Sequence, residues 1–426
     1  MEFQKIKLHR SEKNRAAVTQ ITLDDDYNVP DYRQDIVKVI KERGELRFDE
    51  VKAMEGAAWI KGSLVFKVLY RSDKQEGKIS CLRGEIPFQE RLNMDGLSEY
   101  DAVHATGDME DLTIGVINSR KLNVRAVIVL TASSEKEVDE ELTCELSDGS
   151  SYEQNIVEKE ALKLLVVRRD ICRQKSEAVL PSSKPNIREI LWQSMQLRNV
   201  ESRLVEGKIR LSGEILVSIL YNDEEEGEHL SWYETTVPLD AQAECGVMED
   251  DCIWQVQMVP LTMELEVKPD YDGEERILVM ELALDTHIRI WKEEKIRLLT
   301  DLYSLQKEVK PVFRECPLER LLVKNAAKCR MTEQMELKED KEKVLQICSC
   351  EGKVLLERQE IKPDGVLAEG TVEVNILYIT PDDHMPVGAV QEIYPFSQLV
   401  EIPEMSAQAK VELDASLEPV SYTHLR

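Results

Sequence analysis

Residues 62–70 read Gly-Ser-Leu-Val-Phe-Lys-Val-Leu-Tyr, and the same pattern returns twice, at residues 213–221 and 370–378. Each copy begins with glycine, ends with Leu-Tyr and is followed, at one constant distance, by a proline and an apolar residue. The nine recurring positions are Gly62, Tyr70, Pro87, Gly213, Tyr221, Pro238, Gly370, Tyr378 and Pro395. A period of about 150 residues is the size of a whole domain, so the sequence predicts three tandem domains.

The repeated segment has the alternation of a β-strand. In the first copy Leu64, Phe66, Val68 and Tyr70 fall on one face, and the other copies alternate in phase with it. Period-two alternation indicates a half-buried strand. The glycine suits a tight turn or a close backbone approach. Each tyrosine is expected to be a core aromatic whose hydroxyl is hydrogen-bonded near the strand end, in preference to a ligand contact.

A polar loop and a second strand follow each copy, and we expect that strand to stop at the proline or to lie at a sheet edge, because proline cannot donate to a ladder. The repeat also extends upstream without a gap to Asp35, Asn186 and Lys343. The fold class predicted is mostly β, with three tandem β-sandwich-like domains of about 150 residues. Short helical turns are expected only within residues 31–43 and 187–197.

We place a first β domain at residues 1–135, an acidic, serine-rich linker at 136–155 and a second β domain at 156–300. A third β domain, 301–419, is expected to be incomplete at its C-terminus, and 420–426 to be a non-native tail. Residues 292–310 form a second junction. Leu321 to Val323 is predicted to be the first strand of the third domain, as Ala161 to Val167 is of the second.

Composition excludes several classes of protein. The formal net charge of −27 over 426 residues argues against a nucleic-acid-binding surface, which requires clustered Lys and Arg. The nine cysteines are odd in number and do not recur between copies, which favours reduced thiols in a cytoplasmic protein. The first residues lack the apolar run of a signal peptide, and no stretch of about eighteen apolar residues predicts a membrane span.

No pattern of catalytic residues is found. The six histidines form no metal-binding motif, and His229 and His384 are expected in solvated loops. Cys348-Ser-Cys350 has no second pair at zinc spacing, and residues 270–273 begin like a calcium loop but are better interpreted as a turn. The acidic loop 223–228 is expected to be solvated, with docking of a basic surface as the alternative. We therefore predict no catalytic, cofactor-binding or metal residues.

The recurring strand, with its proline-apolar partner, resembles the SPOCS domain of clostridial spore-coat morphogenetic proteins of the SipL type. Further local resemblances are residues 272–276, 301–304, 344–348 leading to Gly352, and 363–365. The resemblance implies a non-enzymatic scaffold or adaptor that binds other coat proteins, in the mother-cell cytoplasm at the forespore surface. It also implies a LysM domain after the tandem, which engages a coat-basement ATPase and has no counterpart in this sequence.

Two alternatives stay open at this point. One is a cell-wall or glycan-binding protein whose LysM-like module is missing from the chain. The other is an enzyme that uses the acidic loops to hold a cation.

Overall fold

The computed structural model describes residues 2–72, 77–147, 152–224, 229–249, 251–306, 308–335, 343–403 and 405–418, apart from the side chains of 12–15. Within these residues it has fifteen strands and no helix. The strands are β1 Phe3–Asn28, β2 Lys38–Met54, β3 Ala57–Arg71, β4 Ile79–Asn93, β5 Val103–Asn118, β6 Lys121–Leu146, β7 Glu153–Val179, β8 Ile187–Val205, β9 Lys208–Asp223, β10 Leu230–Glu244, β11 Cys252–Pro269, β12 Glu275–Tyr303, β13 Gln346–Lys362, β14 Gly365–Ile379 and β15 Val387–Glu401.

The strands form five three-stranded sheets, and all neighbouring strands are antiparallel. We call β2-β3-β4, β8-β9-β10 and β13-β14-β15 the inner sheets of repeats 1, 2 and 3. The outer sheets are β1-β6-β5 in repeat 1 and β7-β12-β11 in repeat 2. Apolar residues of inner and outer sheet share one core in each of these two repeats, so the prediction of tandem β-sandwich-like domains is confirmed.

Both predicted helical turns are wrong. Residues 31–33 form a turn before β2, and 187–197 lie within β8. Strand β8 contains a β-bulge between Ile190 and Trp192. An inserted bulge residue shifts the phase of the period-two pattern and creates apolar spacings of three and four, which imitate a helix.

The expected linker is also different in the structure. Residues 136–146 belong to β6 and pair with β1, and pairing of β7 with β12 begins at Glu153. Strands β6 and β12 therefore continue past their outer sheets as two-stranded ribbons. Leu142 and Leu146 of the first ribbon are buried, and Glu140 is buried with Arg10 and Arg314 as its partners, while Glu137, Asp139 and Glu141 are exposed. The exposure of most of these carboxylates and the pairing of Glu140 with arginines make the acidic composition compatible with a strand. Residues 148–151 lie outside the described part of the chain. The second junction is strand too, since 292–303 are part of β12.

The third repeat differs from the other two in its outer layer. In repeats 1 and 2 the last strand, β6 or β12, is the centre of the outer sheet, and both flanking strands pair only with it. In repeat 3 the described segments 308–335 and 405–418 contain no strand, and the strand expected at Leu321 to Val323 is not formed.

Candidate functional site at the junction of the three repeats

The three recurring glycines lie within the central strands of the inner sheets, each opposite a β-bulge in the preceding strand. A Cβ atom on Gly62 would stand 2.4 Å from the carbonyl oxygen of Arg47. The equivalent distances are 2.7 Å at Gly213, from Arg198, and 2.1 Å at Gly370, from Leu355. The glycines thus permit a close approach of two backbones, and the alternative of a tight turn does not apply.

The recurring prolines lie on edge strands of the inner sheets. Pro87 stands across from Ser63, Pro238 from Glu214 and Pro395 from Thr371. On an edge strand the nitrogen of proline can face away from the sheet, so no hydrogen bond between strands is lost. The strands nevertheless continue for several residues past each proline, so the prediction that they stop there is wrong.

The recurring tyrosines are core residues. The hydroxyl of Tyr70 donates to the carbonyl of Gln34, and that of Tyr221 to the carbonyl of Pro185, both at 3.1 Å. Burial raises the pKa of each of these two phenols to about 12. Tyr378 occupies the same place in β14 and is buried as well. No tyrosine of the motif is therefore presented to a ligand.

The leucine that precedes each tyrosine has a different role. Leu69, Leu220 and Leu377 are at most 1% exposed and belong to one hydrophobic cluster shared by all three repeats. We call it the junction cluster. Its members fall into four sets of equivalent positions, with two additional residues: Ile40, Leu191 and Cys348; Leu69, Leu220 and Leu377; Ile79, Leu230 and Val387; Cys81, Trp232 and Ala389; and, in addition, Trp192 and Ile379.

One of these sets is created by bulges. Ile40, Leu191 and Cys348 are each the extra residue of a bulge near the start of β2, β8 and β13. The sequence contained a signal for these bulges: each of the three residues is the second of two consecutive apolar residues. Alternation alone does not reveal it. Cys348 and Cys350, the close pair considered above for metal binding, are both buried, and Cys348 belongs to the junction cluster. Burial raises the pKa of Cys348 to about 12 and that of Cys350 to about 11, so both thiols are protonated at neutral pH.

The inner sheets close into a ring. Strand β4 contacts β8, β10 contacts β13, and β15 contacts β2, so each sheet meets the next by its last strand. Gln196 donates through Nε2 to the carbonyl of Cys350 at 2.9 Å, which joins repeats 2 and 3. Arg71 donates to the carbonyl of His384 at 3.2 Å, which joins repeats 1 and 3. The equivalent sets in the junction cluster give this ring an approximate threefold symmetry.

A charged layer beside the junction cluster breaks that symmetry. Glu351 of repeat 3 forms ion pairs with Lys41 at 3.6 Å and Arg43 at 3.5 Å, both from repeat 1. The Lys41 ammonium also lies 5.4 Å from the ring centre of Trp192 of repeat 2. Burial acts to raise the pKa of Glu351, but Lys41 and Arg43 outweigh it and hold that pKa below its usual range. Burial lowers the pKa of Lys41, against the opposing effect of Glu351.

Comparison with known families identifies the repeat. One family model, SipL, SPOCS domain, matches the chain three times, at residues 35–117, 186–268 and 343–425. The chain belongs to this family. The matches begin at the three residues to which the upstream repeat was extended, and they cover more than half of the sequence. No curated protein and no solved structure matches the chain in the corresponding searches.

The first two SPOCS repeats also share an arginine that sequence analysis missed. Arg120 donates to the carbonyls of Val29, Pro30 and Arg33 at 2.7 to 3.1 Å. Arg276 does the same in repeat 2, to the carbonyls of Leu180, Pro181 and Lys184 at 2.6 to 3.4 Å. Each arginine thereby fixes the loop between outer and inner sheet. The available signal was a proline at the same place in both loops, Pro30 and Pro181.

The other sequence candidates lie outside the junction cluster. Residues 270–273 form a turn in which Asp270 Oδ1 accepts from the backbone N–H of Asp272 at 2.9 Å, as expected for a turn. His229 follows the acidic loop, whose residues 225–228 lie outside the described part of the chain. An open depression of about 400 Å³ elsewhere on the surface is lined by charged residues: Glu158, Lys159, Glu160, Lys295 and Arg320.

The described residues contain neither a metal-binding cluster nor a membrane-spanning helix. No group of three His, Cys, Asp or Glu side chains could hold a metal ion there. No helix there could cross a membrane.

Proposed function

We propose that this SPOCS-domain chain is a non-enzymatic scaffold or adaptor in the assembly of the bacterial spore coat, where it binds other coat proteins. The observation that carries the proposal is the threefold match to the SipL SPOCS-domain family. The family resemblance supports a coat-basement ATPase among the partners. It also supports a location in the mother-cell cytoplasm at the forespore surface.

The recurring residues have structural roles, which agrees with a scaffold function. The motif leucines join the three repeats, the tyrosines fill cores and the glycines admit close backbones. The two thiols with the most suggestive spacing are buried and protonated. These tyrosines and thiols thus have packing roles, and a ring of three joined sheets suits a protein that holds partners in a fixed geometry.

The test is the location of a fluorescently tagged chain in sporulating cells of its host. We expect the tagged chain to gather at the forespore, and known coat proteins to copurify with it after cross-linking. Free fluorescent protein, expressed in the same cells, is the control and should stay diffuse. A tagged chain that stays diffuse throughout sporulation and captures no coat protein would contradict the proposal.

A further inference from the structure

The contact between repeats 1 and 2 contains two histidines that face each other. His104 lies in β5 of repeat 1 and His287 in β12 of repeat 2, with ring centres 5.9 Å apart. Both side chains are partly buried, and neither histidine recurs in the other repeats. The pair is therefore specific to this contact and is not part of the common SPOCS framework.

His104 is bound in a way that requires its neutral form. Arg169 of repeat 2 approaches its Nδ1 through Nη1 at 2.6 Å. A guanidinium can only donate, so Nδ1 must accept and cannot carry a proton. Asp285 holds Arg169 in place, with both carboxylate oxygens accepting from Nε at 2.7 and 2.9 Å. Protonation of His104 at Nδ1 would replace this hydrogen bond with two opposed cations.

His287 lies among charges of both signs. Its Nε2 is 3.6 Å from Glu135 of repeat 1, and Glu135 is also 3.8 Å from Arg289 and accepts from Ser11. Arg289 in turn pairs with Glu412 at 3.3 Å. Arg169, Arg289 and His104 oppose a positive charge on His287, whereas Glu135 favours it.

For both imidazoles the effects that lower the pKa outweigh those that raise it. Burial, followed by Arg169, lowers the pKa of His104 against the effects of Asp285 and Glu135. Burial also lowers the pKa of His287, and the neighbouring cations together with burial outweigh Glu135. A group whose folded-state pKa is depressed below the value of a free histidine, about 6.5, favours the folded contact while it is neutral. That contribution is present above pH 6.5 and is lost as the pH falls below it.

We propose that the contact between repeats 1 and 2 is an acid-sensitive latch, which holds while His104 and His287 are neutral and loosens when they are protonated. The latch acts on one contact of the chain, because the junction cluster that joins the inner sheets contains no histidine. Acidification would therefore loosen the outer sheets at the histidine pair, while the ring and the apolar cluster of Leu8, Leu142, Ala161 and Ile296 keep the two repeats joined. This goes beyond the proposed scaffold role and does not depend on it.

The test is hydrogen exchange of the full chain at pH 7.5 and 5.5, expressed as protection factors. We expect protection to fall at the start of β5 and in the middle of β7 in acid, and to stay constant at Leu69 and Leu220. The double variant His104→Asn, His287→Gln keeps an acceptor near Nδ1 of residue 104 and a polar group near Nε2 of residue 287, but neither side chain can be protonated. It should lose the acid response.

His9→Gln is the matched control, because His9 is exposed and pairs with Asp139 away from this contact. This variant should keep the acid response of the original chain. An NMR titration of the unaltered chain is an independent check in case the double variant does not fold. Imidazole pKa values at or above about 6.5 for both residues, or an acid response that persists in the folded double variant, would overturn the proposal.

Discussion

Leu69 and Tyr70 are neighbours in β3 and are both fully buried, yet they belong to different hydrophobic clusters. Because successive side chains of a strand point to opposite faces, Tyr70 fills the core of its own sandwich and Leu69 points to the other repeats. The recurring Leu-Tyr pair therefore packs on both faces of the central strand. One face builds each repeat and the other assembles the three repeats into a ring.

The close approach at the repeated glycine predicts a strong effect of a single methyl group. In Gly62→Ala the new Cβ would stand 2.4 Å from the carbonyl of Arg47, so the two strands must move apart. We expect the free energy of unfolding to fall by about 1–3 kcal/mol, the usual effect of overpacking. Urea denaturation measures it.

Gly115→Ala is the control for this substitution. Gly115 also lies in a strand, but its Cβ would meet nothing within 4 Å. The variant should be neutral or slightly more stable, because alanine restricts the unfolded chain. Equal effects of the two substitutions would mean that the close approach does not constrain residue 62.

The charged layer predicts a cost for removing its single anion. Glu351→Gln leaves the buried Lys41 ammonium without a carboxylate partner, whereas Arg43 keeps its ion pair with Glu45 at 3.0 Å. The substitution should lower the free energy of unfolding by roughly 3 kcal/mol. Glu281→Gln, at an exposed pair with Lys175, should leave the free energy of unfolding nearly unchanged, because solvent screens that pair. Similar effects of both changes in urea denaturation would contradict the structural importance of the layer.

The same ion pairs predict a dependence on pH. The pKa of Glu351 is depressed in the folded chain, so its contribution to stability is present above the usual pKa of 4.5. It is lost as the pH falls below that value and the carboxylate is protonated. The stability difference between the chain and Glu351→Gln should therefore shrink in acid. A difference that is constant from pH 7 to pH 3 would be inconsistent with this account.

The shared arginine of repeats 1 and 2 predicts that lysine cannot replace it. Arg276→Lys keeps the charge but has only one nitrogen, so it cannot donate both to the loop carbonyls, as Nη2 does, and to Asn186 Oδ1, as Nη1 does; this should cost about 1–2 kcal/mol of stability. Arg203→Lys is the control, since Arg203 is exposed and pairs with Glu201 nearby. If thermal denaturation gives both variants the same midpoint, the arginine does not fix the loop.

The junction cluster predicts a pattern of thiol reactivity. Cys348 is 2% exposed with a pKa of about 12, whereas Cys329 is exposed. Because the thiolate is the reactive form, a maleimide should modify Cys329 in the folded chain and Cys348 only after unfolding. Peptide mapping by mass spectrometry after a short exposure distinguishes them. Early modification of Cys348 would show that the junction is open.

Much of the inner sheet could be predicted from sequence, because alternation and constant spacing report a strand and its register directly. The contact of the motif leucines between repeats could not be predicted in this way, because alternation assigns Leu69 to the polar face. A signal was nonetheless present: the residue before the tyrosine is leucine in all three copies, while other positions on that face vary, such as Lys67, Ser218 and Asn375. Bulges were missed for a related reason, since an extra residue disturbs the very periodicity that reveals a strand.

The residues of the charged layer and of the histidine contact occur once each, so no internal comparison could reveal them. Lys41, Trp192 and Ser349 are equivalent in position but different in chemistry. Such contacts depend on the packing of repeats against each other, which pattern analysis of a single strand does not report.

The central claim is that the three repeats form one ring through the junction cluster. It is tested most directly by hydrogen exchange in Leu377→Ala, a substitution within repeat 3 that creates a cavity costing about 2–5 kcal/mol. The ring predicts faster exchange also in β3 and β9, which belong to the other repeats, while Leu261→Ala at an exposed position leaves them unchanged. Faster exchange confined to β13, β14 and β15 would contradict the ring.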